Sequence, residues 1–153
     1  MNPKTLQKIF SAGIKATLLE VFKACWSIDT CRPDRAAGWK PGSPVGQDDV
    51  TALAVRDLLG GDVMGTSVNG GVHYYNRLMD GTRLDFTESQ FGAWVSIPEG
   101  SPVEHDDIVT GPDAHKFQTN DRYLQLTNVV FSALLELKDY IDANTDMAEI
   151  LST

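Results

Sequence analysis

The chain has 153 residues, 42% of them hydrophobic and 22% charged, and a formal net charge of −8. At this length about 70% of the unfolded surface is buried on folding, so a single domain over 1–153 can build a core without staples. An acidic balance with no Lys/Arg cluster excludes the basic footprint of a nucleic-acid binder, and no run reaches the ~20 apolar residues of a membrane span.

Asn2-Pro3 is a good helix opening, since Asn caps well and Pro tolerates the first helical position. Leu6, Ile9, Phe10, Ile14, Leu18, Val21 and Phe22 then recur at helical spacing, which predicts a helix over about 3–24. Lys8, Lys15, Glu20 and Lys23 interrupt this stretch at amphipathic rather than signal-peptide spacing, so a cytoplasmic location is expected. Residues 25–46 hold Pro33, Gly38, Pro41, Gly42 and Pro44 and read as a long irregular segment, kept ordered by Trp26 and Trp39. Cys25 and Cys31 form neither a zinc pattern nor a CxxC pair and read as reduced thiols. A second helix is expected over about 48–59, stopping at Gly60-Gly61.

Three strands follow at about 62–68, 72–78 and 82–86, with Asp80-Gly81 as the turn between the last two. Residues 87–91 read as a turn or single helical turn, 93–98 as a further strand, and 99–118 as loop. Leu124, Leu126, Val129, Val130, Ala133, Leu134, Leu137 and Tyr140 give the last helix, about 119–143, one apolar stripe. Residues 144–153 are expected to fray. The order of elements is that of an α+β domain, helices packed on a small antiparallel sheet.

The helix expected to begin at Asp48 is the first chemical landmark. Its opening turn has unpaired N–H groups and a partial positive charge, which lower the pKa of a cysteine placed there. Asp48 and Asp49, taken alone, are most simply helix caps. His73 and Asp85 flank the Asp80-Gly81 turn. A two-residue loop would put them on opposite faces of the hairpin. A three-residue loop at 79–81, with Gly81 left-handed, would pair 78 with 82 and 75 with 85, leaving 73 and 85 as diagonal neighbours at roughly 7–8 Å, within reach of a hydrogen bond. Taken alone, a histidine on a strand is more often structural than catalytic, and Asp85 is more often a strand-end or turn cap. His105 and His115, beside Asp106, Asp107 and Asp113, read as a solvated acidic loop rather than a metal site; no metal or cofactor is expected.

A helix start, a histidine on one strand and an acid on the next resemble the layout of a papain-like or transglutaminase-like cysteine hydrolase. The order of Trp26-Ser27-x-x-Thr30, Trp39-x-Pro41, Pro44-x-Gly46-Gln47, Val50-Thr51-Ala52-Leu53, His73-Tyr74-Tyr75-Asn76, Asp85-x-Thr87, Gln90-Phe91 and Arg122-Tyr123-x-x-Leu126 resembles the YunG family of small bacterial proteins. The likeness covers about 25–126 and implies a papain-like or transglutaminase-like core. In that pattern Gly-Gln-Cys stands where this chain reads Gly46-Gln47-Asp48. His73 and Asp85 match the implied Cys–His–Asp constellation, and Asp48 departs from it. Gln47, Trp26 and Asn76 are then candidates for ligand contacts.

Acids facing His73 favour its protonation, or a bound cation. Three readings follow. In the first, a non-catalytic member of a cysteine-hydrolase-like fold binds a small molecule or peptide in a cleft around Asp48, His73 and Asp85. In the second, Asp48 and His73 activate water or a metal in an altered hydrolase. In the third, Gln47, His73, Asn76 and Asp85 only hold the fold together. A cysteine hydrolase remains the reading if Asp48 replaces a native cysteine.

Overall fold

The computed structural model describes residues 13–152, with side-chain surroundings for residue 13 and residues 15–143. The expected beginning of the first helix, residues 3–12, lies outside the described residues. Helix α1 spans Ile14–Cys25 and α2 spans Asp48–Leu59, with a 3₁₀ turn at Pro33–Arg35 in the long segment between them. Strands β1 (Asp62–Val68), β2 (Gly71–Arg77) and β3 (Arg83–Leu84) follow, then a 3₁₀ turn at Glu88–Phe91. Strand β4 (Ser101–Val103), the short helix α3 (His105–Val109) and the long helix α4 (Thr119–Ser152) complete the chain.

The four strands form one antiparallel sheet in the order β3-β2-β1-β4. Helix α2 lies between this sheet and helices α1 and α4, and its two sides feed two cores. Val50, Ala54 and Val55 pack with Val21, Phe22, Leu126 and Val130 on the helical side. Ala52 and Leu53 pack with Val63 and Ile108 on the sheet side. A helix covered on both sides should be apolar nearly all round, and every residue from Asp48 to Val55 is buried. The two acids at its start therefore enter the interior, where each needs a partner.

Three expectations fail in the second half, one of them the loop over 99–118, which holds β4 and the short helix α3. Residues 93–98 form no strand, and Trp94 is fully solvent-facing, at 99% exposure. The edge strand is instead Ser101–Val103, pairing with β1 through Val63↔Val103 and Gly65↔Ser101. It docks there because Gly65 has no side chain: a Cβ at that position would lie 2.8 Å from Val103 Cγ2. The Gly100 N–H also donates to the Tyr75 hydroxyl at 2.8 Å. The last helix does not stop near residue 143 but continues to Ser152.

Candidate functional site

The approach to α2 is set by Gly46. Its φ is +73°, and a Cβ there would lie 2.6 Å from Cys31 Sγ, so a side chain would meet both strain and a clash. Asp48 is the first residue of α2, and Gln47 is the residue that precedes it at the cap position. No side chain caps this end. The expected capping role of the two acids gives way to long-range partners. Asp48 Oδ2 accepts the Tyr74 backbone N–H at 3.1 Å and lies 3.4 Å from His73 Nδ1. Asp49 accepts its neighbour's N–H, from Val50, and is held by both terminal nitrogens of Arg122 at 3.0 and 2.5 Å.

The hairpin brings His73 to Asp85. Strand pairing runs Asn76↔Leu84 and Arg77↔Arg83, and the Leu78 N–H donates to Thr82 O at 2.8 Å. The loop therefore contains residues 79–81, with Gly81 at φ +85°. This is the three-residue loop that puts 73 and 85 on one face. His73 Nε2 lies 2.7 Å from Asp85 Oδ2, while Asp85 Oδ1 accepts the Thr87 N–H at 3.1 Å. The Arg83 guanidinium stands 3.8 Å from the same carboxylate. Phe91 presents itself edge-on to the imidazole at 4.8 Å between ring centres.

His73 is thus sealed, at 1% side-chain exposure, between two carboxylates. Burial opposes charging the ring, but Asp48 and Asp85 outweigh it and lift its pKa from 6.5 to about 9. At neutral pH it is an imidazolium whose two N–H groups face the two acids. The contact to Asp85 is a short hydrogen bond. The contact to Asp48 is ionic rather than directional, since Nδ1 makes no well-formed hydrogen bond.

Three expected ligand contacts have other employment. Gln47 is fully buried; its carbonyl accepts from the Thr30 hydroxyl at 2.8 Å and its amide donates to Ser27 O at 3.0 Å. Trp26 donates through Nε1 to Thr51 Oγ1 at 2.9 Å, and Asn76 donates to Ala52 O at 2.9 Å. All three lie inside the protein, tying the long loop and β2 to α2.

Arg122, in the first turns of α4, was not among the residues singled out for the site. Besides Asp49 it donates to Thr30 O at 3.1 Å and to Phe117 O at 2.8 Å, clamping two distant segments and the turn that leads into α4. Burial and Asp48 push the Asp49 carboxyl up to about 6 against the pull of Arg122. No local pattern marks an arginine that pairs across 73 residues of chain.

A cavity of about 300 Å³ opens at the α2 start, with Asp48, Gly46, Arg32, Arg35, Gln90 and Phe91 in its walls. A second, of about 390 Å³, shares Arg32 and holds Asp49, Tyr74, Asp113 and Phe117. Of the expected catalytic residues, only Asp48 reaches the first cavity; His73 and Asp85 stand behind it.

The family model described as YunG protein matches residues 15–135. The chain belongs to the YunG family. It is 30% identical over 113 residues to the uncharacterized protein YunG of Bacillus subtilis (strain 168), an alignment covering 73% of this chain and 86% of that one. No solved structure matches. In this YunG-family protein both cysteines are buried free thiols. Burial, with the nearby Glu136 second, raises Cys25 to about 11, and burial likewise raises Cys31, so neither is an activated nucleophile. Among the described residues no group of three or more His, Cys, Asp or Glu side chains is placed to hold a metal ion. No described helix is long and apolar enough to cross a membrane.

Proposed function

We propose that this protein is a non-catalytic member of a papain-like or transglutaminase-like cysteine-hydrolase fold, in which the cavity beside Asp48 binds a small molecule or a peptide segment. The observation that carries the reading is the double engagement of His73. A general base needs a free lone pair near the operating pH. His73 has a pKa near 9, and both ring nitrogens face carboxylates, at 3.4 and 2.7 Å. This weighs against an altered hydrolase in which His73 activates water.

The same geometry supports the hydrolase-like ancestry. A cysteine–histidine enzyme rests as a thiolate beside an imidazolium. A carboxylate at position 48 carries the same charge to the same place, next to the same ring, without the nucleophilic sulfur. What favours binding over a purely structural role is the cavity that borders Asp48.

Reverting Asp48→Cys tests the ancestry. The new thiol should react with iodoacetamide at pH 7 at least tenfold faster than Cys25 or Cys31 in the same molecule. A thiol no faster than those two would sink the hydrolase-like reading. Binding is tested separately by a fragment screen read by amide NMR. Shifts should cluster at Gly46, Asp48 and Phe91, and a screen whose hits all fall elsewhere would remove the cavity from the proposal.

A further inference from the structure

We infer that the cavity beside Asp48 takes a monocarboxylate with a short apolar body and a carbonyl acceptor, an assignment that rests on the ligand-binding reading above. Charge comes first. Around this cavity each acid already has its cation. Asp48 and Asp85 face His73, and Arg83 stands by Asp85. Asp34 is gripped by Arg32 through two hydrogen bonds of 3.1 and 3.0 Å. Asp49, behind the wall, is matched by Arg122. Among the described residues Arg35 is left over: it lines the cavity, is exposed, and has no ion pair or side-chain hydrogen bond to any of them. On a chain of net charge −8, the cavity mouth is a local excess of one positive charge.

A guanidinium with free donors matches a carboxylate fork. One uncompensated cation beside the Asp48 carboxylate suits a single negative charge and disfavours a phosphate dianion. Arg32 adds a fixed neighbour, because Asp34 holds its head and the Phe117 ring lies 4.1 Å under it.

Hydrogen bonding comes second. Gln90 lines the same cavity, and its Nε2 is shut off from solvent with no partner among the described residues. A buried donor left unpaired is costly and is rarely tolerated without a reason. A ligand carbonyl supplies the missing acceptor. Shape comes third. Val68, Val72 and Phe91 give the cavity an apolar wall, and about 300 Å³ is at the small end of ligand pockets. An acyl group, a short apolar side chain and a carboxylate fill these three requirements. Such a group occurs both in free acylated amino acids and at the C-terminus of a peptide.

The test is an NMR titration of the full chain with N-acetyl-leucine, N-acetyl-leucinamide, inorganic phosphate and an acetylated tetrapeptide ending in free leucine. The acid should bind with shifts at Gly46, Phe91 and the Gln90 side-chain amide. Neutralising it as the amide, or substituting Arg35→Ala, should weaken binding at least tenfold. Arg35→Lys should recover part of that loss, and Gln90→Leu should weaken binding several-fold. Tighter binding of the tetrapeptide would support the assignment with a peptide terminus as its source; equal or weaker binding would support it with a free acid. An amide that binds as well as the acid, an unchanged affinity in Arg35→Ala, phosphate binding tighter than the acid, or no binding by the acid would each overturn the assignment. The fragment screen separates this from failure of the binding reading: uncharged fragments that still shift Gly46 and Phe91 leave that reading standing.

Discussion

Raising the pH should unlock this protein through His73. Its folded pKa, about 9, lies above the ordinary 6.5, because two carboxylates outweigh the burial that opposes charging. The folded state therefore binds the proton more tightly than the unfolded chain does. The resulting stabilisation is complete below about pH 6.5 and is lost as the pH rises through about 9. At about 1.4 kcal/mol per pKa unit, the displacement corresponds to about 3 kcal/mol. The ring is almost fully buried, so solvent screening removes little of it. The assay is urea denaturation of the wild type and His73→Gln across this range. Taking the difference cancels groups that both proteins share, including Cys25, Cys31, Tyr74 and Tyr123, whose pKa values are also raised. The stability gap between the two proteins should shrink by about 3 kcal/mol from below pH 6.5 to above pH 9.5. In the NMR spectrum the His73 ring protons should titrate with a midpoint near 9. A midpoint near 6.5, or a gap that stays constant across the range, would refute the claim that the two acids hold the ring charged.

Two structural predictions accompany this one. Arg122→Ala leaves the Asp49 carboxylate buried without its cation and should cost about 3–5 kcal/mol in urea denaturation, with Arg122→Lys recovering only part; a loss below about 1 kcal/mol would mean that water reaches Asp49. Gly46→Ala forces a side chain onto φ +73° and against Cys31 Sγ, and should destabilise by about 1–3 kcal/mol. Adding Cys31→Ala should relieve the clash and not the backbone strain, so full recovery in the double variant would show that strain at Gly46 is negligible.

Much of the positioning frame could be read from the residues. Helix α2 falls at Asp48–Leu59, where an acidic first turn and the Gly60-Gly61 stop predict it, because acids favour a helix start whether or not they cap it. The β2–β3 loop could be narrowed to two registers, since side-chain alternation turns a one-residue change into a change of face. Other features depend on partners distant in sequence. Trp94, Val95 and Ile97 look like a strand, yet the sheet edge is taken by 101–103, where Gly65 leaves room for Val103. Helix α3 has five residues, too few for a helical period to show. Asn69-Gly70, with φ of 51° and 80°, closes the β1–β2 hairpin and is a local signal that the strand reading passed over. An acid at a helix start reads identically whether it caps its own turn or crosses to a neighbouring strand. That is why Asp48 and Asp49 look like caps in the sequence and are not caps in the fold.

The same ambiguity explains how this fold can carry an acid at position 48 inside its interior. The start of α2 favours negative charge by about 0.3–1 kcal/mol, whatever atom bears it. The Tyr74 N–H, 3.1 Å from Asp48 Oδ2, is a donor that would serve a thiolate as well. An anion on the Nδ1 side helps Asp85 to keep His73 protonated behind Phe91, and a carboxylate supplies it. An uncharged residue at position 48 would leave Asp85 as the sole acid against the ring and the Tyr74 N–H without this acceptor. The interior therefore constrains the charge at position 48 more tightly than the element that carries it. That charge is what joins α2 to β2 here, through the His73 ring and the Tyr74 N–H.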